Sequence, residues 1–146
     1  MSNTTAFRSG AVVFAVAVAI NFVWEMAQSF LFAPMGNAWE GTWRCLRASV
    51  GDAVVIVGLF AIGCVLFRRR LWIVQSGVAA YVFLIVAGVS IAIAMESLAV
   101  RQGWWANRAQ MPTLPGLGVG LVPLLQMAIL PVVVLRLTAA WELRHR

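Results

Sequence analysis

The sequence predicts an all-α protein: an integral membrane four-helix bundle with both termini on the cytoplasmic side. Three observations carry that reading. The chain is 62% hydrophobic, against roughly 45–50% for a soluble domain, and its mean hydropathy is +0.91. Its apolar residues fall into four runs, about 10–33, 49–67, 71–99 and 113–140, of the length needed to cross a hydrocarbon layer. The charged residues cluster at the edges of these runs. The connecting segments are too short to enclose a second core, so residues 1–146 read as one transmembrane domain.

Span 1 follows Arg8 and continues through Phe30, Leu31 and Phe32 until Pro34, Gly36 and Asn37 stop it. Ala17-Val18-Ala19 resembles a signal-peptide cleavage motif, but the apolar pattern runs well past it, which favours an uncleaved span. The segment from Pro34 to Ala48 holds Trp39, Trp43, Arg44 and Arg47 and reads as an interfacial loop. Ser49-Val50-Gly51-Asp52 reads as a capping box opening span 2, and Arg68-Arg69-Arg70 ends it. Span 3 is long enough to imply tilt or extension beyond the hydrocarbon. Span 4 holds Pro123 and Pro131, which predict two kinks, each freeing a carbonyl.

An even number of spans places Arg8, Arg68, Arg69, Arg70, Arg136, Arg144 and Arg146 on one side, and Arg44, Arg47, Arg101 and Arg108 on the other. That bias places both termini in the cytoplasm and the chain in a bacterial inner membrane. Trp72 and Trp141 then mark the inner interface; Trp39, Trp43, Trp104 and Trp105 mark the outer one. All eleven basic residues are arginine and the pI is about 11.4, yet they flank spans and form no basic face, which excludes a nucleic-acid partner. If one helix runs between them, Cys45 and Cys64 lie about 28 Å apart at 1.5 Å per residue, too far to pair, and the one histidine, His145, is in the tail. No metal or haem cofactor is therefore expected within the membrane.

The functional candidates are the polar residues inside the spans. Asn21, Glu25 and Gln28 follow i, i+4, i+7 spacing and share one helix face. A carboxylate in hydrocarbon costs a few kcal/mol, about 2.5–3.5 on insertion scales for Asp, so it is kept for a partner or a task. Glu25, Asp52 and Glu96 fall at one depth in the outer half, below Arg44, Arg47, Arg101 and Arg108, with Gln126 near the middle of span 4. Glu25 and Glu96 are the candidate acid–base groups, since each lies late in its helix, where the dipole disfavours negative charge. The arginines, with Asn21, Gln28, Asp52 and Gln126, are the candidate binding residues.

Each has a plainer reading. Asp52 fits a first-turn cap, and the two glutamates fit structural ion pairs with the outer arginines. The amides fit interhelical hydrogen bonds of about 0.6 kcal/mol each. Gly116, Gly118 and Gly120 lack the lysine and strand of a phosphate loop, so Gly116 and Gly120 read as a GxxxG packing pair. Met26, Met95 and Met127 read as core packing.

The stretches Asn21-Phe22-x-Trp24-Glu25-x-x-Gln28 and Met111-Pro112-x-x-Pro115-Gly116-x-Gly118-x-Gly120 resemble signatures of small four-span bacterial membrane proteins of uncharacterised function. That resemblance covers most of the chain and implies a fold without an activity. Glu96, Gly103-Trp104-Trp105 and Met111-Pro112 are also faintly similar to membrane carotenoid-modifying proteins of the lycopene-cyclase type. The paired acids that follow the proline in that family are missing, and Asn107 stands where an aromatic is expected. Three expectations follow: a site in the outer half that binds or acts on a lipid or isoprenoid, a small-solute or ion transporter, or a non-catalytic membrane subunit or assembly factor. Membrane lipids, a hydrophobic small molecule, a second copy and a membrane-protein partner are the corresponding partners.

Overall fold

The computed structural model describes residues 3–33, 36–104 and 106–145, with side chains from residue 8 onward. Pro34, Trp105 and Arg146, used above for the stop of span 1, the outer tryptophan belt and the charge count, lie outside the described residues. The fold is an all-helical bundle of four helices long and apolar enough to cross a membrane.

Helix α1 spans Asn3–Gln28 and closes in a 3₁₀ turn, Ser29–Leu31. Helix α2 spans Ala38–Phe67. Its thirty residues reach about 45 Å, so the tryptophan- and arginine-rich segment read as a loop is its first three turns. The start signal is Asn37: its side chain accepts from Glu40 N–H at 3.1 Å, and its own N–H donates to the Glu40 carboxylate at 2.9 Å. This capping box, of a kind that contributes about 1 kcal/mol, replaces the one expected at Ser49. Ser49 lies inside the helix instead and donates to Cys45 O at 2.7 Å. Both cysteines are on α2 and are free thiols.

A short helix α3, Trp72–Gln75, turns the chain into α4, Val78–Gln102. Gly103, at φ 68°, ends α4: its N–H donates to Val100 O and that of Trp104 to Ala99 O, a Schellman closure that needs the left-handed conformation. Helix α5 spans Leu121–Arg144 and is the most enclosed of the four. It begins eight residues later than expected, because residues 113–120 form a tight loop closed by the Thr113–Gly120 bridge. Gly116 and Gly118 serve that loop with positive φ, which overturns the GxxxG reading. Pro123 sits in the first turn of α5, where no intrahelical bond is lost. Only Pro131 is interior, and its missing N–H frees the carbonyl of Met127. A Cβ at Gly88 would lie 2.3 Å from that oxygen, so glycine lets α4 close on the freed group.

Helix α1 packs along α2 and α5, and α4 packs along α5; α2 and α4 barely touch. At the termini end this gap is filled. Trp72, 1% exposed, inserts between the two helices, stacks on Phe67 and meets Phe83 edge-on. Gly63 makes room, since a Cβ there would lie 2.2 Å from the indole, and the Trp72 N–H donates to Phe60 O at 3.2 Å. Trp72 is thus a core residue and not an interface marker. Trp39, Trp43, Trp104 and Trp141 remain exposed. Arg70 pairs with Glu142 at 3.1 Å and donates to Ser9, fastening the same end. Exposed Val23, Ile62, Val65, Val78, Val86 and Leu137 clothe the outside in apolar surface, as a lipid-facing bundle requires.

Candidate functional site

At the opposite end the gap between α2 and α4 stays open. A cavity of about 560 Å³ lies there, in the range of small-molecule sites. Its wall carries Glu25 and Gln28 from α1, Arg44, Arg47 and Asp52 from α2, Glu96 from α4 and Gln126 from α5. Val55, Ile91, Met95, Met127, Pro123 and Phe32 make the rest of it largely apolar.

Gln126 is the hub. It is 3% exposed on the most enclosed helix. Its amide nitrogen contacts three acceptors: Asp52 Oδ2 at 2.8 Å, Glu25 Oε1 at 3.0 Å and Asn21 Oδ1 at 3.0 Å. An amide has two hydrogens, so at least one bond is shared. Its carbonyl accepts from Gln28 Nε2 at 3.0 Å, and Gln28 donates also to Glu25 Oε1 at 2.9 Å. Trp24 Nε1 donates to Gln28 Oε1 at 3.0 Å, and Asn21 Nδ2 donates to Ala17 O at 2.8 Å. Helices α1, α2 and α5 are therefore joined by one network whose amide groups are spent on one another and on two carboxylates. Burying such amides is tolerable only because they are paired.

The predicted residues divide. Asn21, Glu25, Gln28, Asp52 and Gln126 share this network, with Asn21 fully buried behind the cavity wall. Asp52 is mid-helix, fifteen positions past the true N-cap, so the capping reading fails. Glu25 makes no ion pair with an outer arginine; amides hold it instead. Glu96, 3% exposed, accepts from Asn107 Nδ2 at 3.2 Å and from Gly120 N–H at 3.4 Å, tying the loop before α5 to α4. Arg44 and Arg47 line the cavity, whereas Arg101 and Arg108 are exposed and do not. Arg108 borders a separate cavity of about 640 Å³ in the loop after α4. Met127 is core, while Met26 and Met95 are exposed, Met95 on the cavity rim.

Trp24 and Asn107 are the contributors that sequence reasoning did not place in the site. Trp24 had a signal, its i, i+4 spacing to Gln28. Asn107 had none, because its contact with Glu96 depends on how the loop folds. Among the described residues no group of three His, Cys, Asp or Glu side chains is arranged to hold a metal ion.

Fold and site together define the class: a small multi-pass membrane protein with a polar pocket at one end of its bundle. Comparison with known protein families, curated proteins and solved structures gives no match to this chain.

Proposed function

We propose that this protein binds, and is equipped to act on, an amphipathic membrane-soluble molecule, a lipid or an isoprenoid. The observation that carries this reading is the shape of the cavity. Apolar side chains of α2 and α4, Val55, Ile91 and Met95, line the same space as the polar side chains of Glu25, Asp52 and Gln126. A molecule entering sideways from the bilayer would leave its tail in the gap and bring its polar end to Glu25, Asp52 and Arg44. The arginine bias supports a placement with both termini in the cytoplasm, which puts this cavity in the outer half of a bacterial inner membrane.

For chemistry on the bound molecule, Glu25 is the better acid–base candidate. Each glutamate spends one oxygen on the protein, but Glu96 is 3% exposed, while Glu25 is half-buried on the cavity wall beside Asp52. Passage of a solute through the bundle is less well supported, because Trp72, Phe67 and Phe83 fill the α2–α4 gap below the cavity.

Gly51→Leu tests the reading. Gly51 lines the cavity, and a Cβ there meets nothing within 4 Å. A leucine there starts from an unobstructed Cβ and takes up cavity space. The variant purified from membranes and assayed by native mass spectrometry should retain at least about tenfold less co-purified lipid, the equivalent of ~1.4 kcal/mol. Wild-type amounts in Gly51→Leu would overturn the proposal.

A further inference from the structure

We propose that the cavity recognises a zwitterionic head group, an ammonium bearing N–H donors joined to a phosphate, as in an aminophospholipid. The inference rests on the lipid-binding reading above and names the ligand class. It follows from charges that share a cavity without meeting.

Glu25, Asp52 and Arg44 all line the cavity. Yet neither carboxylate lies within ion-pair distance of Arg44 or Arg47; Arg70–Glu142 is the pair formed among the described residues. Opposite charges in a low-dielectric cleft normally close on each other, since their attraction is several times stronger there than in water. Here both partners are held back. The Gln126 amide anchors one oxygen of each carboxylate from the bundle side. Among the described residues, the second oxygen of each, Glu25 Oε2 and Asp52 Oδ1, accepts no hydrogen bond.

Arg44, anchored on α2 two turns before Asp52, carries the complementary deficit. Its Nη1 is buried and has no hydrogen-bond partner. A buried guanidinium nitrogen without an acceptor is costly, more so than a neutral donor. The site therefore offers two unspent carboxylate oxygens and, from Arg44 on the same cavity lining, a guanidinium that no protein carboxylate neutralises. A primary ammonium satisfies the first, because it has three N–H donors, and a phosphate oxygen satisfies the second. The apolar gap between α2 and α4 takes the chains that accompany such a head.

The chemistry excludes several neighbours. Phosphatidylglycerol has the phosphate but brings no cation to Glu25 and Asp52. Phosphatidylcholine has a cation with no N–H to donate. Diacylglycerol has neither charge. The experiment is a competition in nanodiscs of equimolar phosphatidylethanolamine, phosphatidylcholine, phosphatidylglycerol and diacylglycerol. Lipid retained on the wild-type protein is read by native mass spectrometry.

Phosphatidylethanolamine should be retained about tenfold over each of the others, as expected for one or two charge-assisted hydrogen bonds. Glu25→Gln with Asp52→Asn should erase the preference over phosphatidylglycerol. Arg44→Gln should erase the preference over diacylglycerol and leave the ammonium requirement intact. Equal retention of phosphatidylglycerol and phosphatidylethanolamine by the wild-type protein overturns the inference, and needs no variant to fold. Gly51→Leu separates the two levels. Loss of all lipid in that variant, with no head-group preference in the wild type, sinks the zwitterion alone; unchanged lipid in it sinks the binding site as well.

Discussion

Helices α2 and α4 border one gap that is treated in opposite ways at its two ends. Near the termini Gly63 admits Trp72, and with Phe67 and Phe83 the indole fills the space. Toward the other end Gly51 admits nothing, and the space stays open under two carboxylates. Glycine on α2 serves both ends: at one it makes room for a side chain of the protein, at the other it leaves room for something else. The filled end stabilises by dispersion and apolar burial; the open end is held by hydrogen bonds that α5 supplies through a single glutamine. On the proposed reading, stability and binding fall to different lengths of the same helix pair.

Three substitutions probe this division, from the largest effect down. Trp72→Ala removes the plug and should cost about 3–5 kcal/mol, the usual loss for a buried aromatic. Thermal unfolding in mild detergent would show it, with lipid retention nearly unchanged. Gln126→Leu strips the shared donor from Asn21, Glu25 and Asp52. Asn21 is fully buried and bears the full penalty, whereas the two half-buried carboxylates regain water from the cavity. The expected loss is about 2 kcal/mol, with lipid selectivity lost at the same time. Gly51→Leu should be the smallest and opposite in sign, a gain of up to ~1 kcal/mol from helix propensity, although it empties the cavity of lipid.

Combining the first two sharpens the comparison. Gly63, against which Trp72 packs, and Asp52 are separated by about 16 Å along α2 at 1.5 Å per residue. Trp72→Ala and Gln126→Leu should therefore add to within about 0.5 kcal/mol. A larger coupling energy would mean that the two ends are one unit.

The four spans were legible because predominantly apolar runs of about twenty residues admit few other readings. The stripe of Asn21, Glu25 and Gln28 was legible from helical periodicity alone, and its structure joins them to Gln126. The start of α2 was not. Arg44 and Arg47 interrupt the apolar pattern, and Ser49-x-x-Asp52 imitates a cap, while Asn37 and Glu40 carry the real one. The role of Trp72 was misread for a related reason. A tryptophan next to three arginines looks like a boundary marker, and only tertiary packing against Gly63 draws it inside. Composition locates helices along the membrane normal; it is nearly silent on which face turns inward when both environments are apolar.

The loop after α4 is fastened to the segment that follows α1 by the main chain. Ala33 N–H donates to Ala106 O, and Arg108 N–H donates to Leu31 O, each at 2.9 Å. Backbone clips of this kind do not depend on which side chains the four residues carry. Substitutions at Leu31, Ala33, Ala106 and Arg108 should consequently leave these two clips in place. Proline is the exception at positions 33 and 108, since it removes the donor. The loop is thus anchored by atoms that every other amino acid shares.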